Sequence, residues 1–458
     1  MRKLTLMSIA SCASSLLALT IFSTSAQAVE IEFEKDSSLP LVYINIAVKA
    51  GAVTDPAGQS GITNFMGEML LRGTHSRTKE QIDVELDQMG ARLDVEARAE
   101  ALIMRGSVLS SQLEPFLRVV ADLLTESNFP EGEIRKLKSE VTSEILEELG
   151  RDQTLASRRF TKFLFNGHPY GKPIIGTVEN VAHLTQKQVL KHYNLLFRDK
   201  LFLIVGTGDA ETAVIKKWAD GLAAARPSPQ GSETALTKVY KPIEAPTRRL
   251  QIVDKPERTQ TQINIGQIGV RMTDERFFPL FLGNHAFGGG SFSARLMVEI
   301  RVKRGWSYGA NSYFRHGLQP RSWTTYLFPA AKDTANALAL TLKLIEDLKT
   351  TGITPEEFEF SKRSLVNGAG FMYDTPKKRV ENALLERSLD LPNGFMKTYG
   401  PNIERVTLES VNKAWASFLK PNQLAISVVA TAKDLKDSLA KAANVPVDQV
   451  EVIPYTEE

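Results

Sequence analysis

Asn64, Gly67 and Glu68, in the stretch GITNFMGEMLLRGT from Gly61 to Thr74, occupy the three spacings at which a zinc-hydrolase helix carries H-x-x-E-H. That motif supplies two neutral imidazoles about 2 Å from the ion and a carboxylate that takes a proton from the bound water. Residues i and i+4 of a helix share a face, so Asn64 and Glu68 point the same way. An Asn amide is a poor zinc ligand, and a lone Glu is not a site. Gly67 has no side chain to act as base. The frame is present and its chemistry is absent.

Other chemistries are poorly served. The six histidines, at 75, 168, 183, 192, 285 and 316, show neither H-x-x-x-H nor H-x-x-E-H spacing, and only His285, in the second copy of the repeat described below, invites inspection. No G-x-S-x-G is present, and no G-x-G-x-x-G or P-loop follows a strand. The triple glycine Gly288, Gly289 and Gly290 lacks the following GK[ST] of a phosphate loop and is read as a flexible loop. The single cysteine is Cys12, so a chain that loses its leader has no thiol for a disulfide, a metal or a nucleophile. A formal net charge of +3 gives no electrostatic footprint for nucleic acid or an anionic membrane.

The leader is explicit. MRK precedes an uncharged apolar run to Phe22 and then STSAQA, with small residues at Ala26 and Ala28. This is the pattern of a secretory signal cleaved after Ala28, which implies a periplasmic protein. The run is too short and too rich in Ser and Thr for a membrane span. Its continuation past Cys12 argues against lipid attachment there.

The elements that would position these residues are written twice. INIAVKAGAVTD (Ile44 to Asp55) recurs as INIGQIGVRMTD (Ile263 to Asp274), an offset of 219, and LFLIVGTGD recurs as AISVVATAKD, an offset of 225. The segment 226–249, rich in Pro, Ser and Thr, separates the copies as an extended linker. The expected organisation is a leader at 1–28, a first domain at 29–225, the linker, and a second domain at 250–458. Within a copy, alternating strands (LVYINIAV, then a pair in DVEARAEALIMRGSVL, then KLFLIVGTG) are interleaved with helical stretches. Gly90 closes the second helix, and Pro130 opens the one that contains Glu144. The pattern predicts an α+β fold of two homologous α/β sandwiches.

The G-x-x-N-F-M-G-E-M-L-L-R-G-T frame, HPYGKPIIGT from His168 to Thr177, and the duplication together resemble the pitrilysin and mitochondrial processing peptidase family. The likeness is to a bacterial zinc-free subunit of it. The resemblance implies that Glu144, 76 positions after Glu68, stands at the distal metal-ligand position while the first two ligands are lost. It also implies that Arg301 and Tyr308, seven apart in E-I-R-x-K-R-G-x-x-Y, act in trans on peptide held at a partner's zinc. There a guanidinium and a phenol could hydrogen-bond developing negative charge. The glycine run would lie near the substrate path. Asp94-Val95-Glu96-Ala97 replaces the N-A-x-T of the family's substrate-pairing strand, which weakens a substrate role for the first half. The implied assembly is a heterodimer with a homologous subunit that carries zinc and H-x-x-E-H; this chain, with no cofactor of its own, would be inactive alone. The other reading is a stand-alone, catalytically inactive periplasmic peptide-binding or scaffold protein.

Overall fold

A computed structural model describes residues 29–197, 202–225, 241–290 and 292–457. The leader with its cleavage site and Cys12, and linker residues 226–240, lie outside the described residues. Strands β1 (Glu30–Lys35), β2 (Leu41–Val48), β3 (Arg92–Ala97), β4 (Leu102–Leu109) and β5 (Phe202–Gly208) form one sheet in the order β1-β5-β2-β4-β3. Strands β6 (Arg249–Asp254), β7 (Gln262–Ile268), β8 (Ser307–Phe314), β9 (Ser322–Pro329), β10 (Ala425–Ala430) and β11 (Glu451–Pro454) form the other, ordered β11-β6-β10-β7-β9-β8.

Without β11 the two orders are the same. So are the senses: the outer pair β1 with β5 is parallel, as is β6 with β10, and every other equivalent pair is antiparallel. The repeated INIAV and INIGQ segments lie on β2 and β7, equivalent strands of the two sheets. The fold is therefore α+β, built from two homologous sandwiches.

Alternation along β2 shows how each sheet is used. Val42, Ile44, Ile46 and Val48 enter the first core with Phe65, Met66, Phe116, Val120 and Leu137 from the covering helices. Each such side chain contributes about 1.5–3 kcal/mol on burial. Ala47, with Ile103, Leu203 and Val205, faces the other way and meets Val380 and Leu384 of helix 376–388 from the second half. The exchange is reciprocal. Helix 152–164 of the first half lays Phe160, Phe163 and Leu164 against Ile268 and Ala425 of the second sheet. A Cβ at Gly266 would come within 3.0 Å of the Phe160 ring, so the strand needs glycine for this approach. Charge fixes the exchanged helix: Arg379 pairs with Glu34 and Asp36, and Arg387 with Glu30 and Glu32, all on or beside β1.

Candidate functional site

Helix 62–69 carries the degenerate motif, and a buried carboxylate sets where it starts. Asp55 Oδ2 accepts from the Gly61 N–H at 2.7 Å, and Asp55 Oδ1 accepts from the Thr63 N–H at 3.3 Å and the Thr63 hydroxyl at 2.5 Å. His192 Nε2 lies 2.8 Å from that hydroxyl. Burial pushes the Asp55 pKa up to about 6, against the hydrogen bonds that favour its charged form. It pushes His192 down to about 4. Gly61 (φ +94°) and Gly176 (φ +92°), the latter from HPYGKPIIGT, back onto each other so closely that a Cβ on Gly61 would meet the Gly176 Cα at 2.6 Å. The motif thus docks the loop onto the start of the helix.

Along this helix the three motif positions are bonded to each other or packed over. Asn64 Nδ2 donates to Glu68 Oε1 at 2.8 Å, so the i, i+4 pair satisfies itself. A Cβ on Gly67 would meet Leu102 Cδ1 at 2.7 Å and Val95 Cγ1 at 3.1 Å; the space for a base is filled by β4 and β3. Burial raises the pKa of Glu68, the Asn64 hydrogen bond opposes this, and Glu144 adds to it. Glu144, on helix 131–150, is raised by partial burial and by Glu148 and Glu147. Arg72, one turn from Glu68, pairs with Glu140 (2.5 Å) and Glu133 (3.5 Å). Among the described residues no group of three or more His, Cys, Asp or Glu could hold a metal ion, and the donor set left at Asn64, Gly67 and Glu68 does not fit zinc. β3, with Asp94 to Ala97, is the edge strand beside this helix.

Asn64, Glu68 and Glu144 open onto a cavity of about 360 Å³. Its lining also includes Arg158 and Lys172 of the first half and Arg315 and Arg321 of the second, near the loop joining β8 to β9. Tyr170 lines it too, bonding to Glu100 and accepting from the Gln319 N–H at 3.0 Å, with the Arg321 guanidinium 4.8 Å above its ring. Tyr170 and Lys172 fall within HPYGKPIIGT, but Arg158, Arg315 and Arg321 are missed by motif reading, because this lining is brought together only across the two halves. The repeated Thr-Asp at Asp55 and Asp274 was the one available signal for the buried cap.

Arg301 and Tyr308 lie elsewhere. Arg301 ends a π-helical turn, Met297–Val302, and Tyr308 opens β8. Tyr308 and Arg315 are seven positions apart along β8 and its end, roughly 23 Å at about 3.3 Å per residue, and neither Arg301 nor Tyr308 lines the cavity. The Arg301 Cζ stands 4.2 Å from the Tyr308 ring and 4.8 Å from that of Phe292, a neighbour not singled out from sequence. Tyr308 is 73% exposed and Phe292 60%. Among the described residues neither Arg301 nor Tyr308 has a side-chain hydrogen bond or ion pair, since Glu299 is held by Lys303 and Arg304.

The glycine run corrects one expectation. Gly288 and Gly289 belong to a π-helical turn, His285–Gly289, and Gly290 terminates it. A Cβ at Gly288 would strike Ser312 of β8 at 2.5 Å and one at Gly289 the Asn284 amide at 2.6 Å, so close packing, not a loop, requires them. His285, in that turn, keeps Nδ1 buried without a partner and reaches only Ser364 at 3.5 Å.

Comparison with known proteins bears on the whole arrangement. The pattern of insulinase (peptidase family M16) matches residues 30–178, and that of the peptidase M16 inactive domain matches residues 183–365. The chain belongs to the M16 peptidase family. A Bacillus subtilis M16 relative, the uncharacterized zinc protease YmxG, is 25% identical over 84% of this chain and 93% of its own. A Helicobacter pylori relative named as a non-peptidase homolog, YmxG, is 21% identical over 88% and 92%. Among solved structures, the peptidase M16 inactive domain from Pseudomonas fluorescens superposes with a TM-score of 0.82 at 22% identity, covering 88% of this chain and 96% of that one. This M16 chain is thus of the kind that includes non-peptidase homologues, and among its described residues no helix is long and apolar enough to cross a membrane.

Proposed function

We propose that this chain is the zinc-free subunit of an exported metallopeptidase, acting in the periplasm beside a homologous subunit that carries H-x-x-E-H. The observation that carries the reading is the Arg301 and Tyr308 pair: the phenol is exposed, the half-buried guanidinium lies 4.2 Å from its ring, and among the described residues neither side chain has a hydrogen bond. The partner's zinc would supply Lewis-acid activation of water. This chain's part is to present the Arg301 guanidinium and Tyr308 hydroxyl to the peptide. They bind its backbone and donate to the carbonyl oxygen as negative charge develops there. Stacking holds the guanidinium plane while leaving its N–H edge open. The leader supports export, and a solved relative, PqqL from Escherichia coli, is itself named a periplasmic protease. The closed first-half helix supports inactivity of the chain alone.

The test is reconstitution. Each chain alone should fail to cleave peptide, and the co-purified pair should cleave it. A pair that forms no complex, or a complex no more active than the zinc-bearing chain, returns this protein to the scaffold class.

A further inference from the structure

The cavity beside the degenerate helix has charges of both signs that do not neutralise one another. Glu68 bonds only to Asn64, and Glu144 has no ion-pair partner among the described residues. From other elements come Arg315, bonded there to the Ser157 hydroxyl, and Arg321, whose Nε is buried with no hydrogen-bond partner among the described residues and whose charge faces Glu100, itself committed to Tyr170 and the Leu318 N–H. Among the described residues Arg158 and Glu148 pair within the lining, at 3.3 Å. Glu144 is exposed and costs little by itself, but the half-buried Glu68, bonded only to a neutral amide, and the buried Nε of Arg321 are incompletely satisfied, and a ligand that bonds to both recovers that cost.

We propose that this cavity binds a short zwitterionic peptide, its ammonium against Glu68 and Glu144 and its carboxylate against Arg321 and Arg315. An ammonium then stands where the motif's metal would have stood, and a carboxylate meets guanidinium donors suited to bidentate contact. At about 360 Å³ the cavity is at the small end of ligand pockets, which selects two or three residues over a long chain. The site lies within this one polypeptide and needs neither a partner nor Arg301.

Calorimetric titration of the purified full chain with tri-alanine tests it. The free peptide should bind, and N-acetylation and C-amidation should each weaken binding by about tenfold or more. The double variant Glu68→Gln, Glu144→Gln should reproduce the acetylation loss and cost nothing further with acetylated peptide. Arg321→Gln should do the same for amidation. Arg315→Gln is the substitute if that variant melts early, and the blocked peptides need no variant at all. No binding at millimolar peptide, or binding indifferent to either block, overturns the proposal. Because no partner is present, that failure would leave the proposed subunit role untouched, and failure of reconstitution would leave this binding untouched.

Discussion

Helix 62–69 and the turn ending at Arg301 belong to the two copies of one repeat, and they treat their polar groups in opposite ways. In the first, Asn64 and Glu68 bond to each other, Gly67 is packed by Leu102 and Val95, and a buried Asp55 ties down the start. In the second, an exposed phenol and the half-buried guanidinium beside it make no side-chain hydrogen bond among the described residues. Away from water a polar group must find an internal partner or pay its desolvation, whereas an exposed donor waits at no cost. The contrast teaches where to look for chemistry in such a chain: a polar group already bonded inside has little left to offer a ligand, whereas the Arg301 and Tyr308 pair, proposed above as the competent surface, keeps its donors.

The strongest way to break the contrast is to remove the open pair. In the proposed assembly with a zinc-bearing subunit, Arg301→Ala and Tyr308→Phe should each lower turnover per complex by about 10²-fold, on the order of 3 kcal/mol of transition-state stabilisation. Assembly checked by size should be unchanged. Full turnover in both assembled variants would falsify the shared-site mechanism.

The closed helix is tested by reopening it. Gly67→Glu places a carboxylate against Leu102 and Val95, both overpacking the site and burying a charge, and should cost about 3 kcal/mol in denaturant unfolding. Gly67→Ala should cost less, about 1 kcal/mol or more, because the Leu102 methyl can yield. Neither Gly67→Glu nor Glu68→His alone should bring in stoichiometric zinc, since two imidazoles and a base are needed together. Metal analysis showing one tightly held zinc in the unmodified chain would sink the degenerate-site reading.

Much of this was legible in the residues, for identifiable reasons. The duplication shows because β2 and β7 are inner strands whose buried faces tolerate few residue types, so INIAV and INIGQ stayed alike. The amphipathic helix 113–125 shows through Phe116, Leu117, Val120 and Leu124 at helical spacing. Helix 152–164 did not show, because it buries Phe160, Phe163 and Leu164 against the other half's sheet and Leu155 and Ala156 in the first core, so no single apolar stripe marks it. β1 (EIEFEK) was obscured by its glutamates, which alternate correctly but pair with arginines 345 or more residues away. The cavity was illegible for the same reason: Arg315 and Arg321 reach it only once the halves meet. The frame around Asn64, Gly67 and Glu68 showed lost ligands, while the filling of Gly67's space by Leu102 is a fact of packing that no motif encodes.

The finest difference between the copies lies in two equivalent aspartates. Asp55 and Asp274 are 219 residues apart, the repeat offset, and their surroundings shift them oppositely. Burial raises Asp55 to about 6, while the Arg276 hydrogen bonds, first among the causes, lower Asp274. A raised folded pKa means that Asp55 contributes stability below its unfolded value near 3.8 and loses it as pH rises through about 6. Asp274 contributes above its unfolded value near 3.8 and loses it as pH falls through its lower folded value. His192, lowered to about 4, contributes above 6.5 and loses this as pH falls through 4, so in the unmodified chain it masks Asp55. Differences between variants remove the mask. The destabilisation by Asp55→Asn should grow between pH 7 and pH 4, by on the order of 1–2 kcal/mol. That of Asp274→Asn should stay level over the same range and shrink below about pH 3.8. Urea unfolding at four pH values reads both. Parallel pH profiles for the two variants would mean that the copies hold their helices alike, and that the buried cap at Asp55 is no different from the surface one.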